Sequence, residues 1–207
     1  MKYTKPKCKL CRRSGEKLFL KGDRCDTAKC AIVKKNYPPG MHGSKNLQRL
    51  SDYGLHLKEK QKLRKIYGLS EKQFKNLYFH SSKSKIAKGE MFLINLERRL
   101  DNIIYRLKLA RSRAEARQRI LHQHFLVNNK KVNIPSYLAK PGEVIKISPN
   151  SLKKQIFQDL DKTKIKPEVS WLEWNQTKNE AKILGLPTEK DLDKSIDMSL
   201  IVEYYSK

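Results

Sequence analysis

All four cysteines of this 207-residue chain lie within its first thirty positions, at Cys8, Cys11, Cys25 and Cys30. They are spaced Cys-x2-Cys, thirteen residues, then Cys-x4-Cys. Two short chelating loops of this kind suit tetrahedral thiolate coordination. Residues 1–45 are therefore expected to form an irregular arm organised by a metal. The competing chemistry is a pair of disulfides, as in small secreted domains. No apolar h-region follows Met1, so no export signal is expected and metal is preferred. Four thiolates suit zinc, with an iron–sulfur cluster as the alternative. Because the quartet is complete, His42 reads as a loop histidine and not a ligand.

The second constraint is charge. The chain carries 46 Lys+Arg against 21 Asp+Glu, a net +25. Residues 1–50 hold 14 cations and 3 acids, residues 51–149 hold 22 and 8, and residues 150–207 hold 10 and 10. A segregated excess of this size would destabilise a free compact chain by self-repulsion, so a polyanionic partner is expected for the first three quarters. A membrane surface is disfavoured, because no segment is long and apolar enough to span and no lipidation motif is present. Only 38% of residues are hydrophobic, which implies small cores stabilised in part by metal and by the bound polyanion.

Along the chain, Lys17-Leu-Phe-Leu20 reads as a short strand ended by Gly22, and Tyr37-Pro-Pro-Gly40 as a turn. Ser51-Asp52 caps a basic helix ending at Gly68, with Leu55, Leu57, Leu63, Ile66 and Tyr67 as its apolar positions. Ser70 and Gln73 form a capping box for a second helix carrying Phe74, Leu77 and Tyr78. Residues 81–88 read as a loop. A third helix starts near Gly89-Glu90 and carries apolar residues from Phe92 to Leu107, with a break at Asp101. Ser112 and Glu115 box the next helix, and Arg111, Arg113 and Arg117 cluster at its N-terminal end, where free N–H groups already attract phosphate. Asn128-Asn129 joins two strand-like runs in a tight hairpin, and Val144–Ile147 alternates as a strand. Residues 150–166 are expected to be a polar connecting helix, and the apolar tail 200–205 a helix docked on the earlier helical domain.

The expected class is α+β: a four-cysteine metal-stapled arm, a small helical domain, and an inserted RNA-binding module of two helices plus a small antiparallel sheet. The boundaries are 1–45 for the arm and 46–95 for the helical domain, completed by 180–207. The module spans 96–179, with a core at about 98–150, and includes the connecting helix.

Taken together, these stretches closely resemble the bacterial small-subunit ribosomal protein four family. The match runs through the cysteine quartet, Tyr37-Pro-Pro-Gly-Met-His-Gly43, Leu50-Ser-Asp-Tyr-Gly54 and Glu59–Gly68. It continues through Arg99–Arg106, Ser112–Gln118, Val132–Tyr137, Trp171-Leu-Glu173 and the tail Leu200–Lys207. The resemblance implies a non-enzymatic primary binder of small-subunit rRNA that nucleates assembly at a multi-helix junction of the 5′ domain. It also implies contact with small-subunit proteins five and three, a part in translational accuracy, and a place in the bacterial cytoplasmic ribosome where messenger RNA enters the subunit.

Carried onto this chain, rRNA contacts fall on Lys7, Lys9, Arg12, Arg13, Arg24, Lys34 and Lys35 of the arm. They continue on Tyr53, Lys58, Gln61, Lys62, Arg64 and Lys65 of the first long helix, and on Arg111, Arg113 and Arg117. Lys45 and Arg49 correspond to the basic residues beside messenger RNA. Asn129, Lys108 and Gln123 stand where the family often has glycine or a small residue, which puts the local turn and helix caps in question.

Two other classes were weighed. An enzyme carrying the same module would need a catalytic domain, yet no phosphate-cradling glycine loop, H-E-x-x-H or nucleophile elbow is present, and no small-molecule substrate is expected. A zinc-dependent DNA regulator would need a recognition helix just after the quartet, which the sequence does not offer.

Overall fold

The computed structural model describes residues 3–45, 49–81, 87–158, 167–193 and 195–206. Its helices are α1 (Cys8–Ser14), α2 (Ala31–Lys34), α3 (Asp52–Ile66), α4 (Glu71–Ser81), α5 (Lys88–Glu97), α6 (Leu100–Arg106), α7 (Arg113–Leu121), α8 (Pro149–Leu152), α9 (Gln155–Gln158) and α10 (Met198–Ser206). Its strands are β1 (Phe125–Val127), β2 (Lys130–Lys131), β3 (Val144–Ile147), β4 (Leu172–Asn175) and β5 (Glu180–Ile183). The chain divides into two compact units, one of residues 1–92 with 193–207 and one of residues 93–192.

In the first unit the sequence signals for helix starts are used as expected. Ser51 Oγ accepts from the Gly54 N–H, and Ser70 and Gln73 exchange both bonds of a capping box. The tail helix α10 packs on α3. Its Tyr205 stacks on Tyr78 with ring centroids 4.5 Å apart, beside the edge-to-face pair Phe74–Phe92 at 4.9 Å. The expected return of the chain at residue 180 is corrected: Glu180–Ile183 is a strand of the second unit, and the chain rejoins the first unit at Asp193. The strand expected over 17–20 does not form. Phe19 adopts φ 48°, a left-handed conformation that an extended strand excludes. The loop expected over 81–88 lies for the most part outside the described residues.

The second unit is built on α6, α7 and a wholly antiparallel sheet of order β2-β1-β3-β5-β4. Val127 pairs with Lys130 across a two-residue turn in which Asn128 and Asn129 take φ 48° and 65°. Both central residues are left-handed, as a type I′ hairpin requires, so asparagine serves here without glycine. The core joins Leu100, Ile103, Ile104 and Leu107 to Ala116 and Ile120 of α7 and to Phe125, Ile145, Ile147 and Ile183 of the sheet. The break in the third helix falls at Arg98 and Arg99 rather than at Asp101, which instead sits in the first turn of α6. The connecting helix is present as α8 and α9, and 159–166 lies outside the described residues.

Lys108 and Gln123 both stand at φ 57° just beyond the ends of α6 and α7. In each case the following residue donates back across the helix end, Leu109 N–H to the Ile104 carbonyl and His124 N–H to the Arg119 carbonyl. This is the Schellman arrangement, which favours glycine at the left-handed position. Gln123→Gly is therefore expected to stabilise the protein by about 1 kcal/mol. A melting curve should show a rise of about 2–4 °C.

Candidate nucleic-acid interface and cysteine cluster

Cys8 and Cys11 lie on α1, Cys25 ends a 3₁₀ turn over Gly22–Cys25, and Cys30 caps α2. All four line one small pocket with Leu20, Lys21, Ala31 and Ile32 among its walls, and none is in a disulfide. Cys11, Cys25 and Cys30 are buried. The Lys21 backbone N–H donates to Cys25 Sγ at 3.4 Å. Burial pushes the Cys11 thiol up, the Leu18 N–H opposes that, and the charges of Cys25, Cys8 and Cys30 add to the rise. Among the described residues, however, no three His, Cys, Asp or Glu side chains close into a group that could hold a metal ion. The arrangement brings the quartet together without itself forming a coordination centre.

The basic residues separate into outward and inward sets. Lys9, Arg13, Arg24, Lys34, Lys35, Lys45 and Arg49 are exposed. Lys7 is half-buried, and its Nζ donates to the Leu20 carbonyl at 3.5 Å. Arg12 is turned inward, contrary to a simple phosphate contact. Its Nε donates to the Tyr37 carbonyl at 2.9 Å and its Nη2 to the Pro38 carbonyl at 3.1 Å, and the guanidinium lies 4.7 Å from the Tyr37 ring centre. That clasp shapes the loop, in which any side chain at Gly43 would strike the Pro38 carbonyl oxygen at 1.9 Å. Lys45 follows directly, with its N–H donating to the His42 carbonyl; residues 46–48, between it and Arg49, lie outside the described set.

On α3, Tyr53 and Lys58 are exposed. Lys62 is only 5% exposed, bonded to the Ser195 carbonyl at 2.5 Å and paired with Glu16 at 3.0 Å and Glu59 at 3.4 Å. These acids outweigh burial and hold its ammonium above the usual lysine range. Lys62 ties the arm and tail to α3 and does not face outward. Arg64 is half-buried, donating to Gln61 Oε1 at 2.9 Å and facing Glu71 at 3.4 Å. Lys65 is half-buried beside Arg64 and Arg13, and burial followed by these two charges lowers its pKa. The sequence reading missed Lys60, which is buried against Glu71 at 2.6 Å and lies 4.4 Å from the Tyr204 ring centre.

In the second unit Ser112 Oγ accepts from the Glu115 N–H, but Glu115 Oε2 accepts from the Arg111 N–H, so the expected box closes one residue early. Arg111 is exposed. Arg117 Nε donates to Asp101 Oδ2 at 2.6 Å, and Arg113 Nε donates to Asn102 Oδ1 at 2.8 Å. Asp101 also receives Arg99 through two bonds, at 3.1 and 3.0 Å. Glu97, fully buried, receives Arg106 at 3.0 and 2.8 Å and Asn102 Nδ2 at 2.7 Å. Glu97 and Asn102 were not singled out from sequence and Asp101 was read only as a helix break, although two acids interrupting an apolar helical run were a readable signal.

His124 is buried, with Nδ1 2.8 Å from Ser151 Oγ. Burial lowers its pKa, helped by the charges of Lys154, His122 and Arg119. The unfolded chain therefore takes up this proton more readily than the folded one. The stability it contributes is complete above about pH 6.5 and is lost as the pH falls below that value. Melting temperature should drop on acidification below about pH 6.5, and His124→Asn should flatten that part of the profile.

A half-buried cysteine cluster, exposed cations on both units, and a two-helix module with a small sheet define a basic RNA-binding protein. Residues 2–97 match the family described as ribosomal protein S4/S9 N-terminal domain, and residues 98–145 match the S4 domain. The chain is similar to small ribosomal subunit protein uS4 of Halothermothrix orenii, 49% identical over 211 residues, covering 100% of this chain and 99% of that protein. The uS4 protein of Caldicellulosiruptor bescii is 50% identical and that of Thermus thermophilus 45% identical, each over 207 residues with the same coverage. The chain belongs to the ribosomal protein S4 family.

The two sets of cations should respond differently to substitution. Lys58→Ala is expected to leave the stability within about ±0.5 kcal/mol of the parent and to weaken RNA binding. Lys62→Ala is expected to cost about 1–3 kcal/mol of stability, because the partly exposed Glu16 and Glu59 and the Ser195 carbonyl lose their shared partner. Thermal unfolding with and without RNA separates the two.

Proposed function

We propose that the chain is a primary rRNA-binding protein that loads early onto a multi-helix junction in the 5′ domain of the small subunit. Membership of its family makes it a non-enzymatic, rRNA-binding constituent of the small ribosomal subunit, working in the cytoplasmic ribosome. The observation that carries the finer reading is the exposed cation set. Lys9, Arg13, Arg24, Lys34, Lys35, Lys58 and Arg111 are exposed on the surface. A binder of this kind gains affinity by neutralising phosphates and specificity by fitting a folded junction. Lys45 and Arg49 lie beside messenger RNA where it enters, and contacts with small-subunit proteins five and three complete the setting and link it to translational accuracy.

The cysteine quartet holds zinc in this reading. The chemistry of the donors, not their present spacing, supports this: four thiols line one pocket, with a backbone N–H aimed at one sulfur. Bound zinc would supply a tetrahedral cross-link that fixes the arm. Metal analysis is expected to find one zinc per chain, lost in Cys25→Ser, with none of the visible absorption of an iron–sulfur cluster. Absence of zinc from the metal-replete protein would remove this part of the proposal.

The binding test uses a 5′-domain fragment of small-subunit rRNA, competed by an unrelated structured RNA across a salt series. Cognate RNA should win by orders of magnitude at physiological salt, with log affinity falling by about 0.7–0.9 per phosphate contact for each tenfold rise in salt. Equal binding of both RNAs, lost together as salt rises, would reduce the chain to a generic polycation.

A further inference from the structure

We infer that Asp101 and Asn102 are positioning residues for rRNA recognition. They are neighbours on the first turn of α6 that seat Arg117 and Arg113 as a fixed pair for adjacent phosphates of one strand. The inference rests on the reading of α7 as an RNA-facing helix.

Arg113 and Arg117 are four residues apart, so they share one face of α7. Each is held through its Nε, to Asn102 at 2.8 Å and to Asp101 at 2.6 Å. The two seats are themselves immobile. Asp101 is 1% exposed and takes two bonds from Arg99. Asn102 is fully buried and donates its Nδ2 to both the carbonyl and the carboxylate of Glu97, at 3.0 and 2.7 Å. Those two acceptors fix the amide orientation and turn Oδ1 toward Arg113, because a flipped amide would set oxygen against oxygen. Glu97 is in turn held by Arg106 through both carboxylate oxygens. The Arg113 guanidinium also lies 4.4 Å from the Tyr105 ring centre.

A core could be packed with apolar residues at lower desolvation cost. This network instead reaches out to two half-buried arginines in the first turns of a helix whose N-terminus attracts phosphate. Arginines already ordered lose less freedom on binding, and their spacing selects among phosphate arrangements.

The test is a double-substitution cycle in the full-length protein, with the 5′-domain rRNA fragment as ligand and a melting curve for every variant. Asp101→Asn should weaken cognate binding about tenfold and flatten the salt slope by about one phosphate contact. Adding Asp101→Asn to Arg117→Ala should cause no further loss, because the seat then has nothing to hold. Full additivity of the two losses would overturn the proposal. So would wild-type binding by Asp101→Asn while Arg117→Ala binds weakly. Wild-type binding by Arg117→Ala itself would instead overturn the RNA-facing reading of α7, and this inference with it. Should Asp101→Asn fail to fold, the cycle of Asn102→Ala with Arg113→Ala carries the same expectation and the same contrary outcomes.

Discussion

Like-charge repulsion is the constraint against which this chain folds. With 46 cations and 21 acids, one-to-one pairing is impossible. The acids are therefore shared at points where elements meet. Asp101 serves Arg99 and Arg117, and Glu71 serves Lys60 and Arg64. Lys62 in turn joins Glu16 of the arm to Glu59 of α3. Buried charge is costly unless paired and hydrogen-bonded, and here Asp101 and Glu71 each offset two cations while Lys62 is held by two acids. The remaining cations stay on the surface, where salt and a polyanion screen them.

The same economy explains the tail. The buried positions of α3 are His56, Lys60, Lys62, Leu63 and Ile66, so three of the five are polar. Alone this would be a poor helix face. The tail completes it: Glu203 meets His56 at 2.7 Å, and the Tyr204 ring covers the Lys60 ammonium. Leu55, an apolar residue of the same helix, is left 43% exposed. The tail is thus part of the first unit's core and not an appendage to it.

Much of this was legible in the chain. The caps at Ser51 and Ser70, the Asn128-Asn129 turn, strand β3 and the docked tail were each encoded by short local patterns with one dominant conformation. What was not legible depended on distant partners. Strands β4 and β5 alternate buried and exposed residues, as at Ala181 and Lys182, but Asn175, Glu180, Ala181 and Lys182 are residue types that strands disfavour, which leaves a weak strand signal. Phe19 was read as extended, because nothing in its sequence neighbourhood announces a left-handed residue. The inward turn of Arg12 and Lys62, and the seating of Arg117 on Asp101, were hidden for the same reason. Basic residues look alike in sequence, and only the position of a carbonyl or carboxylate far along the chain decides which of them face solvent. The family resemblance located the RNA-binding elements, and the structure sorted the residues within them.

The central claim is that this chain has two populations of cations, one holding the fold and one facing rRNA. Residue-resolved amine labelling of the lysines, read by mass spectrometry with and without the 5′-domain rRNA fragment, tests it directly. Lys60 and Lys62 should resist labelling in both states, while Lys9, Lys34, Lys35 and Lys58 should label readily when free and become protected when rRNA is bound. Ready labelling of Lys60 and Lys62 in the free protein, or no protection of the exposed set on binding, would contradict it.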